Sequence, residues 1–178
     1  MGATLWQHQV PWQADLAAAL RALQAERFQR KYDFAAELET WCKDAESVIT
    51  LQQADGDPFD LVAIYTERLQ TIRQIAEAPL PQTVEQKIAL LRDVRPEGYG
   101  DVLDITRIDE AGGLFVMRPL TTQQHEALFG TARPTLSVIN RSLPVLAEQI
   151  DRGEAIAIAA FQAPGPPTHW VFAGCSVD

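Results

Sequence analysis

Tyr99, Asp101, Asp104, Arg107, Arg118 and His125 are the residues whose types and spacing could do chemistry in this chain. Two carboxylates, two guanidiniums, a phenol and an imidazole near one predicted hairpin could bind a polar ligand or move a proton. Asp104 and Arg118 come near each other if segments 102–108 and 114–117 pair as strands. The plainer reading of such a pair is a structural ion pair at a sheet edge, which orders a surface without catalysing anything.

Other chemistries find less support. A transition-metal site needs clustered ligands, whereas His8, His125 and His169 are scattered. His125-Glu126 offers two ligands but has no histidine one helical turn away, so no metal and no cofactor are expected. His169 and Cys175 share a strand face, but six residues of strand span roughly 20 Å, beyond the reach of a base and its nucleophile. Cys175, and Cys42 beside Trp41, read as small apolar fillers. Gly98-Tyr99-Gly100 runs into a predicted strand instead of a helix, which makes it a flexible turn and not a phosphate cradle.

The elements that must position these residues begin at the C-terminal end. Residues 154–162 and 168–174 are apolar runs separated by Ala163-Pro164-Gly165-Pro166-Pro167, the pattern of a β-hairpin. Ile156 and Ile158 fall on one face and Ala155, Ala157, Ala159 and Phe161 on the other, so both faces need cover and the hairpin should be central. Leu5 to Val10 reads as a strand ended by Pro11. Leu16, Ala19, Leu20, Leu23 and Phe28 then recur at helical spacing, with Arg21, Gln24, Glu26 and Arg27 on the opposing surface.

A second helix carries Phe34, Leu38, Trp41, Ala45, Val48 and Ile49, with Glu37, Glu39, Asp44 and Glu46 on its polar face. A third carries Leu61, Ile64, Tyr65, Leu69, Ile72 and Ile75, with Asp57 as N-cap and Pro58 first in the helix. Thr83-Val84-Glu85-Gln86 is a capping box ahead of Ile88, Leu91 and Val94. The alternation of residues 102–108, the turn 109–113 and the run 114–117 predict a middle hairpin. Thr121 or Thr122 caps a short helix ending at Gly130, and another follows Thr135 with Pro144 as a kink or restart. The fold class is therefore α+β, one domain over residues 1–178. A mainly antiparallel sheet with a C-terminal hairpin carries packed helices, and the N-terminal half is rich in helix.

Val10-Pro11, Gln13, Asp15-Leu16, Arg118-Pro119-Leu120-Thr121, Leu128-Phe129-Gly130-Thr131, Pro134-Thr135 and the terminal Gly174, Ser176 and Asp178 resemble a group of small uncharacterised bacterial proteins. The resemblance spans both ends and implies one domain whose first and last strands belong together. It implies no activity, cofactor or partner.

The 178 residues, with 47% hydrophobic and 22% charged, suffice for a globular core. A net charge of −9 opposes nonspecific attraction to nucleic acid or an anionic membrane and favours a basic partner. The bland reading of that charge is solubility. The two cysteines do not suggest a disulfide framework. Met1 to His8 shows no signal-peptide pattern, and Trp6 occupies the position where a myristoylation pattern wants Ser or Thr, so a cytoplasmic location is expected. Trp12 and Trp170 read as core before interface.

Two functions follow as expectations. The first is a small acidic protein that binds another protein without catalysis, as an inhibitor or immunity-type partner of a basic protein. The second is an enzyme or small-ligand binder with a pocket beside the middle hairpin, using the six residues named first. A homodimeric structural protein is compatible with either.

Overall fold

A computed structural model describes residues 4–57, 59–95, 98–162 and 164–177. Met1 and Gly2, Pro58, Ala163 and Asp178, each part of a sequence expectation above, lie outside them. In chain order come β1 (Leu5–Pro11), α1 (Leu16–Lys31), α2 (Phe34–Asp55), α3 (Leu61–Glu77), α4 (Val84–Val94) and a 3₁₀ turn (Val102–Asp104). β2 (Arg107–Ile108), β3 (Val116–Pro119), α5 (Thr122–Phe129), α6 (Leu136–Ala147), β4 (Ala155–Phe161) and β5 (Pro167–Cys175) follow. The fold is α+β. Spatially the chain divides into two compact units, Met1–Glu26 with Glu97–Asp178, and Arg27–Pro96.

The first unit is built on a five-stranded sheet of order β1-β5-β4-β3-β2. The C-terminal hairpin β4–β5 is interior, as its two apolar faces require. On one face Ala155, Ala157, Trp170 and Phe172 pack with Met117, with Ala19, Leu20 and Leu23 of α1, and with Val102 and Ile105. On the other, Ile156, Ile158, Val171 and Ala173 pack with Ile139, Leu143 and Leu146 of α6 and with Ile150. A Val, Ile or Phe buried this completely contributes about 1.5–3 kcal/mol, so the two-sided hairpin is a main source of the unit's stability. β1 pairs antiparallel with β5, from Leu5 opposite Cys175 to Pro11 opposite His169, so first and last strands do lie together.

The other side of the sheet departs from expectation. β3 runs parallel to β4, and β2 runs parallel to β3, with Arg107 opposite Val116 and Ile108 opposite Met117. The sheet is mixed, and the middle segments do not form a hairpin. A parallel join ordinarily needs a dozen or more connecting residues. Here residues 109–115 suffice because the ladder is two residues long and the chain doubles back through positive φ at Gly112, Gly113 and Phe115. The predicted strand over 102–108 also shrinks. Asp101 caps a 3₁₀ turn in its place, which buries both Val102 and Leu103 where alternation would bury one.

Gln24 corrects the reading of α1, since it is buried and not on the outer surface. Its amide donates to Val102 O at 3.0 Å and to Ile105 O at 2.8 Å, which ties α1 to the 3₁₀ turn. Trp12 stacks on Trp170 at 4.3 Å between centroids, and the Trp170 indole N–H donates to Gln13 O. Thr121 and Gln124 form a capping box on α5, Gly130 closes that helix in the left-handed conformation, and α6 runs through Pro144.

The second unit is helical. Phe34, Leu38, Trp41 and Ala45 are the buried stripe of α2, Leu69 and Ile72 that of α3, and Ile88, Leu91 and Val94 that of α4. α2 and α3 pack as a helical hairpin, with Arg73 donating to Glu46 Oε1 at 2.8 Å across it. The capping box of Thr83 and Gln86 is present. At α3 the helix starts at Leu61, with Asp60 at the cap position in left-handed backbone (φ 57) and no side-chain cap bond. Asp57 still satisfies the first turn from outside, because its carboxylate accepts from Leu61 N at 2.7 Å and Val62 N at 2.9 Å. Ile64, predicted inward, is 55% exposed, because the buried stripe of α3 runs through Leu69 and Ile72 on a different face.

Candidate functional site

Asp101 and Asp104 stand at either end of one turn in the first unit, and both are buried. Gly98 and Gly100 take φ of 77° and 65°, a conformation that other residues resist, and this brings the backbone round to Asp104. The Asp104 carboxylate accepts from Tyr99 N at 2.7 Å and from Gly100 N at 2.9 Å. The Gly98-Tyr99-Gly100 turn is thus clamped by a side chain, and Tyr99 is buried at 8% exposure. Asp101 Oδ1 accepts from Val102 N at 2.7 Å and lies 2.6 Å from His8 Nε2 on β1.

His8 is the member of this cluster that sequence reasoning missed. It lies 93 residues from Asp101, so no spacing could show it, and the parity of β1 is the only signal. Trp6 and His8 share a face, their rings 5.8 Å apart. A carboxylate at Nε2 holds an imidazole in one orientation, the arrangement by which a base is positioned in acid–base catalysis. In this cluster, however, both acids are engaged with backbone amides that the tight turn would otherwise leave buried.

The remaining predicted residues are dispersed. Arg107 is exposed on edge strand β2. Arg118 is half-buried on β3, its side chain against Gly112, and forms no ion pair with Asp104. His125 lies on α5, buried, with Nδ1 donating to Ala132 O at 3.3 Å and its ring 5.9 Å from Phe129. Burial pushes its pKa below the usual histidine value, opposed in part by the Ala132 bond, and Nε2 has no partner among the described residues. Six candidates thus resolve into one turn that holds three, two separate arginines and a histidine on α5. Among the described residues no three His, Cys, Asp or Glu side chains gather as a metal ion would need.

The second unit carries features of another kind. Leu51 near the end of α2, Phe59 in the connection and Ile64 at the start of α3 are 59%, 74% and 55% exposed. Asp55 and Asp60 are exposed in the same stretch. Cys42 lies half-buried on α2, where burial and the Glu46 charge raise its thiol pKa against a smaller opposite effect of Arg73.

No helix of the described residues is long and apolar enough to cross a membrane. No family model, no curated protein and no solved structure matches this chain.

Proposed function

We propose that this protein acts by binding a second protein of basic character, as an inhibitor or immunity-type module, and that the end of the α2–α3 hairpin is the contact. The observation that carries the reading is the exposure of Leu51, Phe59 and Ile64 at that one end. An isolated exposed leucine is ordinary, whereas three large exposed apolar side chains about one helix–helix connection offer apolar area that association would cover. Burying Phe59 in a partner's pocket is worth about 1.5–3 kcal/mol, the size of an interface anchor. Asp55 and Asp60 are exposed in the same stretch and add negative charge there, and the chain's net charge of −9 favours the approach of a cationic partner.

Asp101 and Asp104 support this reading over a polar pocket beside β2 and β3, because their carboxylates are bound to backbone amides. The test is capture of the tagged chain from its own cell extract at low and at high salt, beside a Leu51→Ser, Phe59→Ser double variant. A basic protein retained at low salt by the parent, weakened by salt and lost from the variant is the expected result. Retention of the same protein by both chains removes the proposed contact, and retention of nothing removes the reading.

A further inference from the structure

Independently of partner binding, we propose that a cleft of about 390 Å³ in the helical unit binds a small aromatic carboxylate. Its size lies within the roughly 300–1,000 Å³ typical of small-molecule sites. The chain breaks between α1 and α2 at Tyr32 and Asp33, and the break leaves aromatic rings on one wall. Phe28 and Phe34 are buried at 4% and 6% exposure, and Tyr32 stacks on Phe28 with centroids 5.9 Å apart. The facing wall is Leu80, which is 63% exposed, and the α4 residues Val84 and Lys87. Val84 and Lys87 are three residues apart on one helix and therefore share a face. A flat apolar molecule fits between such walls, and the aromatic surface favours an aromatic one.

Charge selects the anion. Lys87 is half-buried, and its ammonium makes no ion pair or hydrogen bond among the described residues. The acid on the same cleft, Asp33, is committed elsewhere: its Oδ1 accepts from Ala35 N at 2.9 Å and Ala36 N at 3.1 Å as the N-cap of α2. Lys31 adds positive charge beside the aromatic wall, its Nζ 5.5 Å from the Tyr32 ring centroid. A carboxylate on the ligand gives Lys87 the partner it lacks, whereas a neutral group leaves it without one and an ammonium is repelled.

The experiment titrates 2-naphthoate and its neutral counterpart 2-naphthalenemethanol into the whole protein, followed by calorimetry and by chemical shifts. The expected result is one saturable naphthoate site per chain, at least about tenfold tighter than the alcohol, the advantage a hydrogen bond to a charged group supplies. The advantage shrinks with added salt. Shifts of Phe28, Tyr32 and Val84 should move in the wild-type protein, which locates the site without any variant. Lys87→Gln should remove the preference and spare the alcohol, and Ala35→Trp, which puts a large ring at a residue of the cleft lining, should remove both. Absence of saturable naphthoate binding, shifts confined to other residues, or a preference that survives Lys87→Gln overturns the proposal.

Discussion

His8 Nε2 lies 2.6 Å from Asp101 Oδ1, and this contact joins an edge strand of the sheet to the turn that enters the 3₁₀ segment. Both side chains are largely withdrawn from water, at 15% and 6% exposure, so the pair is not a screened surface contact. Asp101 also accepts from Val102 N, which makes the two partners unequal. Asp101→Ala strips an acceptor from two buried donors and should cost about 2–4 kcal/mol, while His8→Phe should cost about 1–2 kcal/mol. Urea unfolding of both variants and of the double variant gives the coupling, expected at about 0.5–3 kcal/mol for groups in direct contact. Additive losses show that the contact contributes nothing to the fold.

The turn beside it depends on a glycine for two reasons at once. Gly98 has φ 77°, and a Cβ there would stand 2.9 Å from an Asp104 carboxylate oxygen. Gly98→Ala should therefore cost more than the roughly 1–2 kcal/mol of left-handed backbone alone. Gly130 supplies the comparison, because its φ is 70° and nothing lies within 4 Å of an added Cβ. Equal losses in the two alanine variants, read from urea midpoints, remove the role assigned to the Asp104 carboxylate.

Gly174 tests the packing of the first strand on the last. It lies opposite Trp6 in the β1–β5 ladder, and an added Cβ would collide with the Trp6 indole and lie 2.9 Å from Glu154 O. Overpacking of this kind costs about 1–3 kcal/mol. Gly174→Ala should lose that much in urea unfolding, and Gly174→Ala with Trp6→Leu should lose less than the two changes added together. An additive pair shows that the indole is not what holds position 174 to glycine.

How much of this was legible in the sequence depends on the range of the interaction involved. Ile156 and Ile158 opposite Ala155 and Ala157 state by parity alone that β4 is covered on both faces, and the two clusters found there agree. Thr83 with Gln86 is a local pair three residues apart, so capping chemistry alone places it, whereas at α5 the sequence leaves Thr121 or Thr122 open as the cap and the structure selects Thr121 with Gln124. The middle segments defeat the same reasoning. Alternation over 102–108 cannot distinguish a strand from a 3₁₀ turn that Asp101 caps locally and Gln24 holds from 78 and 81 residues away, nor does it give strand direction. Gln24 reads as a surface residue by type and is buried because two carbonyls of that turn need a donor. The candidate site fared similarly. Tyr99, Asp101 and Asp104 meet through a turn of seven residues, whereas His8 reaches Asp101 only by way of the β1–β5 pairing.

His125 makes the sharpest pH prediction. Its ring is buried on α5, and burial lowers its pKa from the ordinary value of 6.5. The unfolded chain therefore binds a proton at a pH where the folded chain does not, and protonation favours unfolding. Stability from this residue is complete above about pH 6.5, declines as pH falls below it, and levels off once pH has passed the folded value. His125→Phe removes the titration and keeps an aromatic ring near Phe129, so the stability of the parent relative to the variant should drop between pH 7.5 and 5. Groups that titrate in both chains cancel in that difference, which is measured from urea midpoints across the range. A difference that stays constant with pH would show that the imidazole is solvated as freely in the folded chain as in the unfolded one.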